Sequence, residues 1–128
     1  MHRVLFIALM LILSGCDFSE RNIKDLAISS VTKQLKDPDS ARFSDVRLKI
    51  SEDGSTFNVC GLVNAKNSFG AYSGDARFVV AGYKNEQNNE YAIYSSKVDS
   101  SPSSPDTDGN GTIFEKMYWN AYCQDKHE

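Results

Sequence analysis

Arg42-Phe43-Ser44-Asp45-Val46-Arg47-Leu48-Lys49-Ile50, then Ser51-Glu52-Asp53-Gly54-Ser55, then Thr56-Phe57-Asn58-Val59-Cys60-Gly61-Leu62-Val63-Asn64-Ala65 read as strand, turn and strand. In the first run Phe43, Val46, Leu48 and Ile50 alternate with polar residues, the period of a half-buried strand, and the one slip of phase between Phe43 and Val46 marks a β-bulge. Asp53-Gly54 supplies the positive backbone angles of a tight hairpin turn, so the second run is the partner of the first. Two more runs rich in Val, Tyr, Phe and Ile, residues 76–83 and 91–96, are joined across the polar stretch 85–90. Upstream, Ile23, Leu26, Ala27, Val31 and Leu35 recur at helical spacing from about 22 to 36, with Asp37-Pro38 as the stop. Downstream, residues 112–124 are aromatic and helical in period. Ile113, Met117 and Tyr118 or Ala121 fall on one face, and Phe114, Trp119, Tyr122 and Cys123 thicken the apolar stripe. The expected fold is α+β: an N-terminal helix, a four-stranded antiparallel sheet and a C-terminal helix, forming a single domain over 22–128.

Composition bounds what such a domain does. The chain has 128 residues, room for one modest core, and its 41% hydrophobic and 24% charged residues fit neither a disordered chain nor a multi-span membrane protein. The formal charge is -3, with Lys and Arg scattered rather than clustered, so nucleic acid is not an expected partner. Histidine is nearly absent: His2 and His127 stand at the two ends. That removes Ser/His/Asp and Cys/His nucleophile sites and sites with two histidine ligands, and no enzyme is expected. Ser30-Val31-Thr32-Lys33 matches S-x-x-K, but no S-D-N or K-T-G partner accompanies it; Ser30 and Lys33 are expected on a solvated helix face.

The N-terminus has the plan of an export signal. Met1-His2-Arg3 is a short positive start, and the apolar run from Val4 to Leu13 has the length of a signal h-region, well below the roughly 20 residues that span a bilayer. Leu13-Ser14-Gly15-Cys16 then looks like a bacterial lipobox, in which the Cys16 thiol accepts a diacylglycerol and cleavage leaves Cys16 as the new N-terminus. The expectation is a lipoprotein signal peptide over 1–15 and a lipidated tether over 16–21; the competing reading is an ordinary secretory signal with an incidental cysteine. Two or three acyl chains, palmitate among them, hold a protein stably where one is marginal. Asp17 after the lipidated residue leans toward retention at the inner rather than the outer membrane, facing the periplasm.

With Cys16 lipidated, Cys60 and Cys123 remain in an oxidising compartment, and a disulfide between them is expected. It would lay the C-terminal helix across the second strand; two buried free thiols are the alternative.

The strings Leu35-Lys36-Asp37-Pro38-Asp39-Ser40-Ala41-Arg42-Phe43 and Val59-Cys60-Gly61-Leu62-Val63-Asn64-Ala65-Lys66-Asn67-Ser68-Phe69-Gly70-Ala71-Tyr72-Ser73-Gly74 resemble a group of small lipoproteins and exported proteins of Gram-negative bacteria and their phages. The resemblance covers about the middle third of the chain. It implies a periplasmic setting and no catalytic residues.

Two stretches are candidate sites. Residues 64–75 form a polar loop longer than a hairpin requires, with Asn64, Lys66, Asn67 and Tyr72 as binding candidates and Arg77 just beyond. Gly70 and Gly74 are expected at positive φ, and Phe69 and Tyr72 either fold back on the core or present an aromatic surface; the plainer reading is an ordered loop that covers a sheet edge. Asp106-Thr107-Asp108-Gly109-Asn110-Gly111-Thr112 matches the opening of a calcium loop, with Asp106, Asp108, Asn110 and the Thr112 carbonyl as ligands. The bidentate Glu of such loops is missing, Met117 standing in its place, so calcium is expected to bind weakly or the loop only to cap a helix. No other cofactor is expected. These readings converge on a membrane-anchored periplasmic binding module whose partner is an envelope protein. The alternatives are a phage-derived superinfection-exclusion or immunity lipoprotein and a weak calcium module.

Overall fold

The computed structural model describes residues 18–99 and 111–124. Helix α1 (Phe18–Thr32) leads through a single 3₁₀ turn (Pro38–Ser40) into four strands, β1 (Arg42–Ile50), β2 (Thr56–Asn64), β3 (Ala76–Asn85) and β4 (Glu90–Val98). They form one antiparallel sheet in the order β1-β2-β3-β4, the α+β architecture that the alternation predicts. The slip of phase in β1 is a real irregularity: pairing with β2 shifts between Ser44 and Arg47, and Asp45 takes a positive φ of 49°.

The sheet is covered on both faces. On one, Ile23, Ala27 and Val31, one stripe of α1, pack against Phe57, Val59 and Val63 of β2 and Phe78 and Val80 of β3. The Phe43–Phe78 and Phe57–Tyr91 rings meet edge to face. The register pairs Phe57 with Gly82 and Gly61 with Phe78, so each ring lies over a glycine of the neighbouring strand. A Cβ at Gly61 would stand 2.8 Å from the Phe78 ring; one at Gly82 would collide with the Phe57 ring and the Ala92 carbonyl. On the other face Cys60 and Val79 lie beneath Phe114, Tyr118, Trp119, Tyr122 and Cys123.

Two boundaries differ from the sequence reading. Helix α1 runs over Phe18–Thr32 rather than 22–36, so residues 18–21 of the expected tether are its first turn. It ends early because Ser30 and Thr32 hydroxyls donate to the Ala27 and Ile28 carbonyls and the chain then turns, Gln34 and Leu35 N–H groups reaching Val31 and Thr32 carbonyls. Leu35 still meets the core, but from a turn. Ser30 is not on a solvated face: its hydroxyl lies 3.0 Å from that of Ser96 on β4. The C-terminal helix is present but short, and part of it is wider than an α-helix. Glu115–Trp119 is a π-helical turn that runs into α2 (Asn120–Tyr122). The wider turn rotates the aromatic side chains onto the sheet and leaves Ile113 and Met117, expected inward, 64% and 62% exposed.

The molecule has two distinct ends. The first turns of α1 lie beside the β3–β4 turn, where Ser19, Asn22 and Leu26 share a cleft with Lys84, Asn89 and Tyr91. The β1–β2 turn joins them through the Lys84 N–H to Ser55 carbonyl bond of 2.8 Å. The β2–β3 loop, residues 65–75, occupies the opposite end beside Gln34 and Leu35.

Candidate functional site

The β2–β3 loop is a small hairpin in its own right. Asn67 closes it: its N–H donates to the Ala71 carbonyl at 2.8 Å, and its side-chain oxygen accepts the Phe69 and Ala71 N–H groups at 2.9 and 3.2 Å. Asn64 accepts the Gly74 N–H at 3.1 Å, and Ser73 reaches the Ala65 carbonyl with both its N–H and its hydroxyl. Gly70 and Gly74 have φ of 79° and 96°, as the sequence predicts.

The loop is also pinned from the side. The Lys66 N–H donates to the Ser40 hydroxyl at 2.8 Å, the Tyr72 hydroxyl donates to the Ser40 carbonyl at 3.1 Å, and the Arg42 guanidinium sits 4.1 Å above the centre of the Tyr72 ring. The two strings around Ser40 and Asn67 are therefore one packed unit.

This geometry sorts the sequence candidates. Asn64, Asn67 and Tyr72 direct their polar atoms into the loop's own framework and shape it. The Lys66 ammonium lies 5.8 Å from the centre of the Tyr72 ring, beside a groove of about 470 Å³ that Lys66 helps to line. That groove runs between the loop and the chain leaving α1, with Gln34, Lys36, Lys66 and Asp75 around a floor of Val63 and Val98. Phe69, whose role the sequence left open, stands at the tip and is 94% exposed. Tyr72 folds back and Phe69 projects.

Arg77 does not join the loop. Its guanidinium donates to buried Asp99 at 3.0 Å, lies 3.5 Å from Glu115, and stacks 5.5 and 5.2 Å from the Phe114 and Trp119 rings. It fastens the C-terminal segment to the sheet. The disulfide expected there is present, Cys60 to Cys123 at 2.05 Å. Beside it, burial first and then the hydrogen bond and charge of Tyr122 raise the Tyr94 phenol above its ordinary pKa.

Of the calcium-loop residues, Asp106, Asp108 and Asn110 lie outside the described residues, as does Cys16. Gly111 does make the sharp turn, at φ 96°, and the Thr112 hydroxyl accepts the Glu115 N–H at 3.1 Å, a helix-capping contact. Glu115 is turned toward Arg77. No helix among the described residues is long and apolar enough to cross a membrane. Comparison of the chain with protein-family models, curated proteins and solved structures finds no match.

Proposed function

We propose that this chain is a lipoprotein held to the periplasmic side of a membrane, the inner one favoured, by a lipid on Cys16, and that it acts as a binding module rather than an enzyme. The β2–β3 loop is its binding element and an envelope protein its partner. One observation carries the reading: a large aromatic side chain, Phe69, is held in water at the tip of a loop whose backbone is fixed by its own side chains. Leaving a phenyl ring exposed forgoes about 1.5–3 kcal/mol of burial, which a partner with an apolar pocket recovers on docking. The ordered loop lowers the entropy lost in that step.

The test is photo-crosslinking in living cells from a benzophenone amino acid at position 69. One dominant captured protein is expected, with capture from position 69 lost when Asn67→Ala loosens the loop beneath it. Absence of any product above the level given by a probe at exposed Lys33 would overturn the reading. Position 72 is the wrong place for the probe, because the Tyr72 hydroxyl is already bonded to Ser40. The anchor is tested separately, by fatty-acid labelling that Cys16→Ala abolishes.

A further inference from the structure

A second candidate site lies on the face of the sheet opposite α1, away from the Phe69 loop and independent of it. The strand register places Arg47 opposite Cys60 and Lys49 opposite Asn58. Alternate residues of a strand share a face about 7 Å apart, and neighbouring strands lie about 4.8 Å apart. Arg47, Lys49 and Asn58 therefore rise from one small patch, bounded by Tyr122 and the Cys60–Cys123 disulfide, around a cleft of about 430 Å³.

The chemistry of this lining is one-sided. Arg47, Lys49, Asn58 and Tyr122 all offer hydrogen-bond donors, and none of the described residues that line the cleft is acidic. The two clefts at the ends of the molecule differ in this respect: Glu90 lines one, and Asp75 and Asp99 line the other. Among the described residues Arg47 pairs with Asp45, whose oxygen is 3.7 Å from the Arg47 Nε with both side chains half exposed or more, a loose pair that an incoming anion can displace. Lys49 makes no ion pair among the described residues.

We infer that this cleft binds a phosphate monoester, with Arg47 and Lys49 on the phosphate oxygens, Asn58 donating beside them and the Tyr122 ring against the organic body of the ligand. A guanidinium and an ammonium side by side match a tetrahedral dianion, the guanidinium by its fork and the ammonium as a point charge. The cleft volume suits a ligand of one ring plus a phosphate. The disulfide holds Tyr122 over the sheet, so the site exists before the ligand arrives.

The experiment titrates the mature chain, with the lipid proposed above, in phosphatidylcholine nanodiscs with phenyl phosphate, reading backbone amide shifts by NMR. The expected result is saturable movement confined to residues 47–49, 58–60 and 122–123, none of it with phenol, which lacks the charge. Arg47→Gln with Lys49→Gln weakens binding by at least about tenfold, and Asp45→Asn strengthens it severalfold by removing the competing carboxylate. These positions are exposed on an edge strand, and unchanged shifts elsewhere show that the fold is intact. Linear, unsaturated movement spread over all surface lysines, or an unchanged midpoint in the double variant, overturns the proposal. Replacing part of the lipid by phosphatidic acid, whose headgroup is itself a phosphate monoester, separates the sources: competition with phenyl phosphate at the same amides identifies a lipid headgroup, and its absence identifies a soluble ester.

Discussion

At the scale of single residues, the β1–β2 turn shows how a short polar string becomes a rigid device. The Asp53 side-chain oxygen accepts the Ser51 hydroxyl at 2.7 Å, the Ser55 hydroxyl at 2.6 Å and the Ser55 N–H at 3.0 Å, while Gly54 takes φ 73°. Those bonds favour the ionised form, Ser55 foremost, and hold the carboxyl at about pKa 2 against an ordinary 3.8. A carboxyl lowered by folding stabilises the fold fully above the unfolded value of 3.8, and that contribution disappears as pH falls toward 2. We expect the Asp53 carboxyl carbon to titrate near pH 2 by NMR, and Asp53→Asn to flatten the stability loss between pH 4 and roughly pH 2. A midpoint at the ordinary value would show the turn to be loose in solution. The Asp-Gly signal was legible in the sequence because turn chemistry is local. The glycines under Phe57 and Phe78 were not, because only the register reveals which ring each one faces.

At the scale of elements, the strands were legible to within a residue or two, since two-residue alternation survives any tertiary packing. The helices were less so. The end of α1 depends on hydroxyl-to-carbonyl bonds that compete with the helix. In the C-terminal segment the π turn changes which residues share a face, so counting at ordinary helical spacing put Ile113 and Met117 inside. The aromatic residues follow the sheet instead, because Arg77 and the disulfide fix two points of the segment against it. Arg77 read as part of the loop from its position in sequence alone, and its three-way contact with Asp99, Glu115 and the aromatic rings needed the fold. For the segment as a unit, Cys60→Ala with Cys123→Ala is expected to lower unfolding stability by about 2–4 kcal/mol, the bridge spanning a separation of 63 residues. Hydrogen exchange should quicken over 111–124 while α1 and the β2–β3 pair stay protected, and Arg77→Leu added to that background should release the segment further. Equal loss of protection throughout would mean that the sheet cannot form without the bridge.

At the scale of the whole molecule, the proposed anchor sets an orientation. Cys16 stands two residues before Phe18, where α1 begins, a span of at most about 7 Å. The first turn of α1 shares its end of the molecule with the two hairpin turns, which carry Glu52, Asp53 and Glu86, and with Glu90 at the start of β4. Strand β2, 9 residues long, rises about 30 Å from that end to the Phe69 loop. Repulsion between this acidic end and anionic lipid opposes close contact, so it is the short link to a docked helix that would keep this end nearest the bilayer and point the loop away from it, toward the proposed partner. Energy transfer from a dye at Asn88 to an acceptor in the membrane should therefore be strong, and transfer from a dye at Ser68 weak. Inserting a ten-residue Gly/Ser linker between Asp17 and Phe18 should reduce the contrast by letting the domain tumble. Equal transfer from both positions in the native chain would mean that the domain swings freely on its lipid; the Phe69 loop would then meet its partner from any angle, and its distance from the membrane would carry no function.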